Sequence, residues 1–299
     1  MLPAPHAAML AAIPVTEHRA VVGGADTAWW IYGPPAEEAK ATIFAIHGYR
    51  GDHHGLEPVI ARLPEFRIIS PDLPGFGESG PLPGRHTIQA YTDWLVAVAE
   101  RMPRPFTALG HSFGTILTAA ALDAAPGPAG VRFAPERTIL MNPIAGPALK
   151  GAKAFGTLSA AAWYKLAGLL PERAGRSALS ARFMVDGMTA LTAKTRDPQL
   201  RQWIKEEHRR YFNGFHSTRS VIEGFDASVS DHIAAHASAF TMPTLLIAAV
   251  QDQIASISAV RRLHEQIPGS ELVEYDGVGH LIHYERAQEA ADAIRGFHP

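Results

Sequence analysis

Residues 106–125 read FTALGHSFGTILTAAALDAA, and three textures meet inside them. Phe106 to Leu109 is a short β-favouring run, Phe113 to Ala125 is an alanine-rich helical run, and Gly110-His111-Ser112-Phe113-Gly114 joins the two. A Gly-x-Ser-x-Gly turn in that setting has a physical meaning. Small residues two places before and after the serine let strand and helix pack closely, and the strained turn lifts the hydroxyl out of the sheet. The helix start then aims free N–H groups at a carbonyl that meets the serine. A bare Gly-x-Ser-x-Gly also occurs by chance in loops; the flanking strand and helix argue against that here.

The same alternation continues on both sides. Thr27 to Tyr32 reads as an early antiparallel strand closed by Gly33-Pro34-Pro35, and Thr42 to Ile46 as a buried strand ending at His47-Gly48. Leu56 to Leu63 reads as helix, Arg67 to Ser70 as strand, Ile88 to Met102 as helix and Arg137 to Met141 as strand. The pattern resumes with a strand at Thr244 to Val250, a helix at Ser256 to Gln266, a strand at Leu272 to Tyr275 and a helix at Ala287 to Phe297. Strands alternating with helices predict an α/β fold with a mostly parallel sheet covered by helices.

Between these blocks the texture changes. Residues 145–240 show few strand signals and carry 13 Lys and Arg against 8 Asp and Glu, while the rest of the chain carries 14 against 21. An interruption that also differs in charge reads as an inserted helical cap. The expected organisation is therefore a core of residues 1–144 and 241–299, with a cap over 145–240.

Composition narrows the function classes. The 299 residues are 47% hydrophobic and 19% charged, with 27 Lys and Arg against 29 Asp and Glu, so no basic excess invites nucleic acid or an anionic membrane. No cysteine is present, which excludes disulfides, a thiolate nucleophile and Cys-ligated metals. No window of 18 uninterrupted apolar residues predicts a membrane span. Met1 to Pro14 is small and apolar but lacks a basic start and is broken by prolines, so it does not read as an export signal. A cytoplasmic address is the expectation, and monomer or homodimer stays open.

A serine hydroxyl needs a base to take its proton and an acid to orient that base. Asp252, just past TLLIAAV, and His280, in Gly277-Val278-Gly279-His280, follow the serine in the chain at carboxyl ends of predicted strands. Each has a plainer reading: Asp252 as the N-cap of the helix near Ser256, His280 as a surface-loop histidine. His283 is a rival base and Asp276 a rival acid.

The sequence resembles the cap-bearing serine members of the α/β-hydrolase superfamily. The motifs that carry the resemblance are His47-Gly48-Tyr49, Asp72-Leu73-Pro74-Gly75-Phe76-Gly77-Glu78-Ser79, the turn at 110–114, Asp252 and Gly279-His280. They run through roughly 16–143 and 241–299; the segment between carries no matching motif. The resemblance implies Ser112 as nucleophile, His280 as base and then acid, and Asp252 as its orienting partner. It places an oxyanion hole at the backbone N–H groups of Tyr49 and Phe113 and requires no cofactor. His47, His111 and Asp72 are expected to brace turns, and His53-His54 is not expected to hold metal.

The cap aromatics Trp163, Tyr164, Phe183, Met184, Trp203, Tyr211, Phe212 and Phe215 are expected mostly to form the cap's own core, with some roofing a pocket for an apolar or aryl group. Arg173, Arg176, Arg182, Arg196, Arg209, Arg210 and Arg219 are candidate contacts to a free carboxylate on a small-molecule substrate. The resulting expectation is a carboxylic ester hydrolase working through an acyl-enzyme. Two alternatives stand beside it: a hydrolase of carbon–carbon bonds in ring-cleavage dienoates, and a non-catalytic ligand-binding module of the same fold.

Overall fold

A computed structural model describes residues 4–147 and 154–298; Met1 to Pro3 and residues 148–153 of the expected cap lie outside them. Eight strands form one sheet: β1 (Val15–Val22), β2 (Ala25–Tyr32), β3 (Thr42–Ile46), β4 (Arg67–Pro71), β5 (Thr107–His111), β6 (Arg137–Met141), β7 (Thr244–Ala249) and β8 (Glu271–Tyr275). Their spatial order is β1-β2-β4-β3-β5-β6-β7-β8, with β1–β2 and β2–β4 antiparallel and every other pair parallel.

The central strands are buried on both faces, so they read as unbroken apolar runs. Successive side chains part company across the sheet. Phe44, Ile46, Ile69 and Ala108 pack on the side of α1 (Ile88–Ala99) and α2 (Phe113–Asp123). Ile43, Ala45, Ile68 and Leu109 pack on the other side, where Ala290, Ala291, Ile294 and Phe297 of the C-terminal helix meet them.

The sequence pattern does not predict β1. Its VTEHRAVV run is exposed at five successive positions and belongs to the sheet's outer edge, so it lacks the apolar signature of the inner strands. The expected helix at Leu56 to Leu63 is shorter, a 3₁₀ turn at His53–Leu56 followed by one α turn at Glu57–Ile60. Glu57–Ile60 begins with proline in its first turn.

Between β6 and β7 the described chain is helical: α3 (Ala154–Gly168), α4 (Glu172–Leu179), α5 (Arg182–Thr192), α6 (Pro198–Tyr211) and α7 (Thr218–Ser230). Helix α6 starts on an Asp197 cap that accepts from Gln199 N and Leu200 N, and α7 on a Ser217 cap that accepts from Ser220 N. After β7 come α8 (Ile257–Gln266) and, after β8, α9 (Ala287–Phe297). No described helix is long and apolar enough to cross a membrane.

Candidate active site

Ser112 sits between β5 and α2 with φ 52° and ψ −116°, a conformation that a side-chain-bearing residue adopts at a cost. The glycines on either side explain why the turn can close. A Cβ on Gly110 would fall 2.6 Å from Gly114 O, and one on Gly114 would fall 2.2 Å from Ile46 O. Neither position has room for a methyl group.

The strand ends bring the predicted residues together. His280 Nε2 lies 2.7 Å from Ser112 Oγ, and His280 Nδ1 lies 2.7 Å from Asp252 Oδ2. With Asp252 ionised, Nδ1–H donates to the carboxylate and Nε2 is free to accept from the serine hydroxyl. Burial by itself would raise the Asp252 carboxyl. The attraction and hydrogen bond of His280, together with the N–H groups of Ile254 and Ala255, outweigh that and hold it below the usual carboxylate range.

The plainer reading of Asp252 does not hold as expected, because Ser256 and not Asp252 stands at the N-cap of α8. Asp252 Oδ1 caps the turn by accepting from Ile254 N at 2.7 Å and Ala255 N at 2.9 Å, while Oδ2 faces His280. The rivals are placed elsewhere. His283 is buried against His111, with ring centroids 4.1 Å apart, and its Nδ1 has no hydrogen-bond partner among the described residues. Asp276 is exposed and accepts from Gln251 Nε2.

The expected oxyanion donors also fall beside the serine. Phe113 opens α2, where helix geometry leaves N–H groups without intrahelical acceptors, and neither its N–H nor that of Tyr49 donates to a described residue. Gly48 keeps the turn tight: a Cβ there would lie 3.2 Å from Ser112 Cβ. His47 braces this turn from behind, accepting at Nε2 from Leu73 N (2.8 Å) and donating from Nδ1 to Gly48 O (2.8 Å). Asp72 organises the next loop, its two oxygens taking the N–H groups of His53 and Glu78.

Asp52, His53 and His54 lie close enough to share a cation. Their candidate ligand atoms are engaged locally: His53 Nδ1 with Asp72 Oδ1 at 2.9 Å and His54 Nδ1 with Asp52 Oδ1 at 3.2 Å.

Ser112 and His280 open into a cavity of about 480 Å³, within the range of small-molecule pockets. Part of its apolar wall comes from the region between β6 and β7, with Tyr164, Met188, Leu191, Tyr211, Phe212 and Phe225. Of the eight expected aromatic and Met residues, Tyr164, Tyr211 and Phe212 line it. Trp163 instead packs edge-on against Phe183, and Trp203 against Tyr284. The expected arginines do not: none of the seven lines the cavity, and Arg209 is spent on Asp186. Among the described residues the cavity's permanent cation is instead Arg50, a residue that no motif singles out.

Three further residues hold the site in shape. Asn142, at φ 50° after β6, donates from Nδ2 to Asp252 Oδ2 at 2.9 Å and to Gly279 O at 3.3 Å. Glu285 accepts from Lys194 N at 2.7 Å, from Thr195 N and from Gly279 N at 3.2 Å, so it ties the end of α5 to the His280 loop. Thr192 O accepts from His280 N at 3.2 Å, and a Cβ on Gly279 would fall 2.2 Å from that carbonyl oxygen. None carries a sequence signal, because a lone Asn, Glu or Thr gains its meaning only from what the fold puts opposite it.

The model of the alpha/beta hydrolase family matches residues 43–293. The chain belongs to that family. This alpha/beta hydrolase is similar in fold to the enol-lactonase of Burkholderia xenovorans, with TM-score 0.76 and 20% identity over 94% of this chain and 99% of that one. An esterase of Exiguobacterium antarcticum superposes with TM-score 0.74 and 17% identity, over 94% and 98%. In sequence, 81 residues are 35% identical to the pimeloyl-[acyl-carrier protein] methyl ester esterase of Shewanella woodyi, a stretch that is 27% of this alpha/beta hydrolase and 30% of that protein.

Proposed function

We propose that this alpha/beta hydrolase cleaves carboxylic esters through an acyl-enzyme on Ser112. The observation that carries the reading is the hydrogen-bonded chain from Ser112 Oγ through both ring nitrogens of His280 to Asp252 Oδ2, set on a strained serine backbone. The methyl ester esterase and enol-lactonase relatives lend support from the side of chemistry. Residues 145–240 act as a cap over a core of 1–144 and 241–299, and their aromatic lining suits a substrate with an apolar or aryl portion.

The steps follow from the geometry. Ser112 Oγ attacks the ester carbonyl while its proton passes to His280 Nε2, and Asp252 stabilises the imidazolium through Nδ1–H. The carbonyl oxygen, now an anion, accepts from the N–H groups of Tyr49 and Phe113; each such donor is worth on the order of 3 kcal/mol of barrier. Collapse breaks the ester bond, and the leaving alcohol takes the proton from His280. Water then attacks the acyl-serine, gives its proton to His280, and the acid departs as Ser112 regains its hydrogen.

The test is wild type against Ser112→Ala on phenyl acetate, a carboxylate-bearing aryl monoester and a ring-cleavage dienoate. Ester turnover that drops at least about 10³-fold in the variant supports the reading. Consumption of the dienoate alone would move the same residues to carbon–carbon cleavage, and stoichiometric binding without turnover would make the fold a ligand receptor.

A further inference from the structure

Arg50 directly follows Tyr49, is 3% exposed, and lines the cavity that holds Ser112 and His280. A guanidinium stays charged at every physiological pH, and a buried charge is expected to be paired. Here the pattern is inverted. The more exposed Arg209, Arg261 and Arg295 each hold a carboxylate, while no described carboxylate forms an ion pair with Arg50.

Its hydrogen bonds go to neutral acceptors only. Nε donates to Phe212 O at 3.2 Å, and Nη2 donates to Leu179 O at 3.1 Å and Asn213 Oδ1 at 3.4 Å. The Phe212 ring covers one face, 4.2 Å from the guanidinium carbon. These contacts fix the side chain from the helical segment, and the left-handed backbone at φ 58° fixes it from the loop. Nη1 makes no hydrogen bond to any described residue. A held guanidinium with a nitrogen left over, on a residue that lines the cavity, can receive an anion there.

We propose that Arg50 binds a free carboxylate on the substrate, so that the ester hydrolysed is a monoanion such as the half-ester of a dicarboxylic acid or an ester of a hydroxy-aryl acid. This inference rests on the ester-hydrolase reading and names its substrate class. Surface arginines on the helices have no part in it.

Two substrate pairs test it: phenyl hydrogen adipate against phenyl hexanoate, and 4-acetoxybenzoate against phenyl acetate. The wild type is expected to favour the carboxylate-bearing member of at least one pair by about tenfold or more in kcat/KM. In Arg50→Met that ratio is expected to fall at least about tenfold, to near one, mostly through KM, with Arg50→Lys intermediate. Calorimetric titration with adipate and 4-hydroxybenzoate adds a readout independent of turnover: binding by the wild type, and at least about 30-fold weaker binding by the variants. Equal losses on both members of each pair would make Arg50 only a tie between loop and helices, and would overturn the proposal. So would a wild type that shows no preference and binds neither acid. If no ester turns over yet an acid binds through Arg50, the ester-hydrolase reading fails and the anion site stands.

Discussion

Asn142 donates its amide hydrogen to Asp252 Oδ2, the same oxygen that faces His280 Nδ1. One carboxylate oxygen is thus shared between the imidazole and a side chain from the neighbouring strand end. The shared bond favours the ionised acid and fixes the direction in which Oδ2 points. Asn142→Ala removes the bond and also strains a backbone at φ 50°. Asn142→Gly removes the bonds to Asp252 and to Gly279 O without that strain. Both are expected to lose roughly tenfold in kcat with little change in KM, and Asn142→Ala is expected to lose about 1 kcal/mol more stability than Asn142→Gly. Urea unfolding and steady-state kinetics on both variants separate the terms; full activity in Asn142→Gly would deny the amide any part in orienting Asp252.

Asp252 has a second load on its other oxygen, which predicts how its substitution will behave. In Asp252→Asn the amide oxygen can still cap Ile254 and Ala255, so the thermal midpoint should move by only a few degrees. The NH₂ group would then face His280 Nδ1 and force the proton onto Nε2, where it cannot accept from Ser112. If the proposed triad operates, a loss of about 10⁴-fold in kcat is expected, the size seen when a serine triad loses its acid. A loss below about tenfold would show that His280 does not depend on Asp252 for its tautomer.

Much of the fold and of the site is legible in the amino-acid sequence, and the reason is physical. Inner parallel strands are buried on both faces, so Thr42–Ile46 and Arg137–Met141 stand out as unbroken apolar runs with their true ends. The serine turn is legible because Gly110 and Gly114 are forced by close backbone contacts that leave no room for a side chain. Asn142, Glu285 and Arg50 are not. Apart from local contacts their partners lie between 90 and 163 positions away, and no spacing rule connects them. The arginines of the helical segment mislead for a related reason. Net charge counts residues without saying which side chains reach a cavity, and none of the seven candidates lines this one.

Tyr49 separates side chain from backbone in the proposed oxyanion hole. Its hydroxyl donates to Val221 O on α7 at 2.7 Å, while the donor assigned to catalysis is its N–H. Tyr49→Phe should therefore keep kcat within about threefold and lose roughly 1 kcal/mol of stability from the lost hydrogen bond. Gly48→Ala should act oppositely, since a Cβ there crowds Ser112 Cβ at 3.2 Å and disturbs the turn that presents the amide. A fall of about 10²-fold in kcat is expected for it. If Tyr49→Phe falls as far as Gly48→Ala, the phenol and not the amide acts in the reaction.

Three histidines that line the cavity predict an acid-sensitive fold. Burial lowers His111 to about 3 and His208 to about 4, and burial with neighbouring imidazoles takes His283 well below its ordinary value. Below about pH 6.5 the unfolded chain binds protons that these folded side chains refuse. Stability must then fall as pH drops from about 6.5 toward 4, by up to about 1.4 kcal/mol per pH unit for each such residue. His54 and His236 are raised, after their carboxylate partners overcome burial, but their contribution is already complete at about pH 6.5 and flat below it. Burial raises Glu57 and Glu207, which work against the fall as they take up protons nearer pH 4.5. His208→Gln isolates the effect, because glutamine does not titrate and can still bond to Thr189 Oγ1, 2.8 Å from the imidazole in the native chain. Urea unfolding at pH 7, 6 and 5 should show the variant closing on the wild type as the pH falls, by about 1 kcal/mol per unit below about 6.5. Parallel curves for the two proteins would mean that His208 takes up its proton in the folded state as readily as in the unfolded chain.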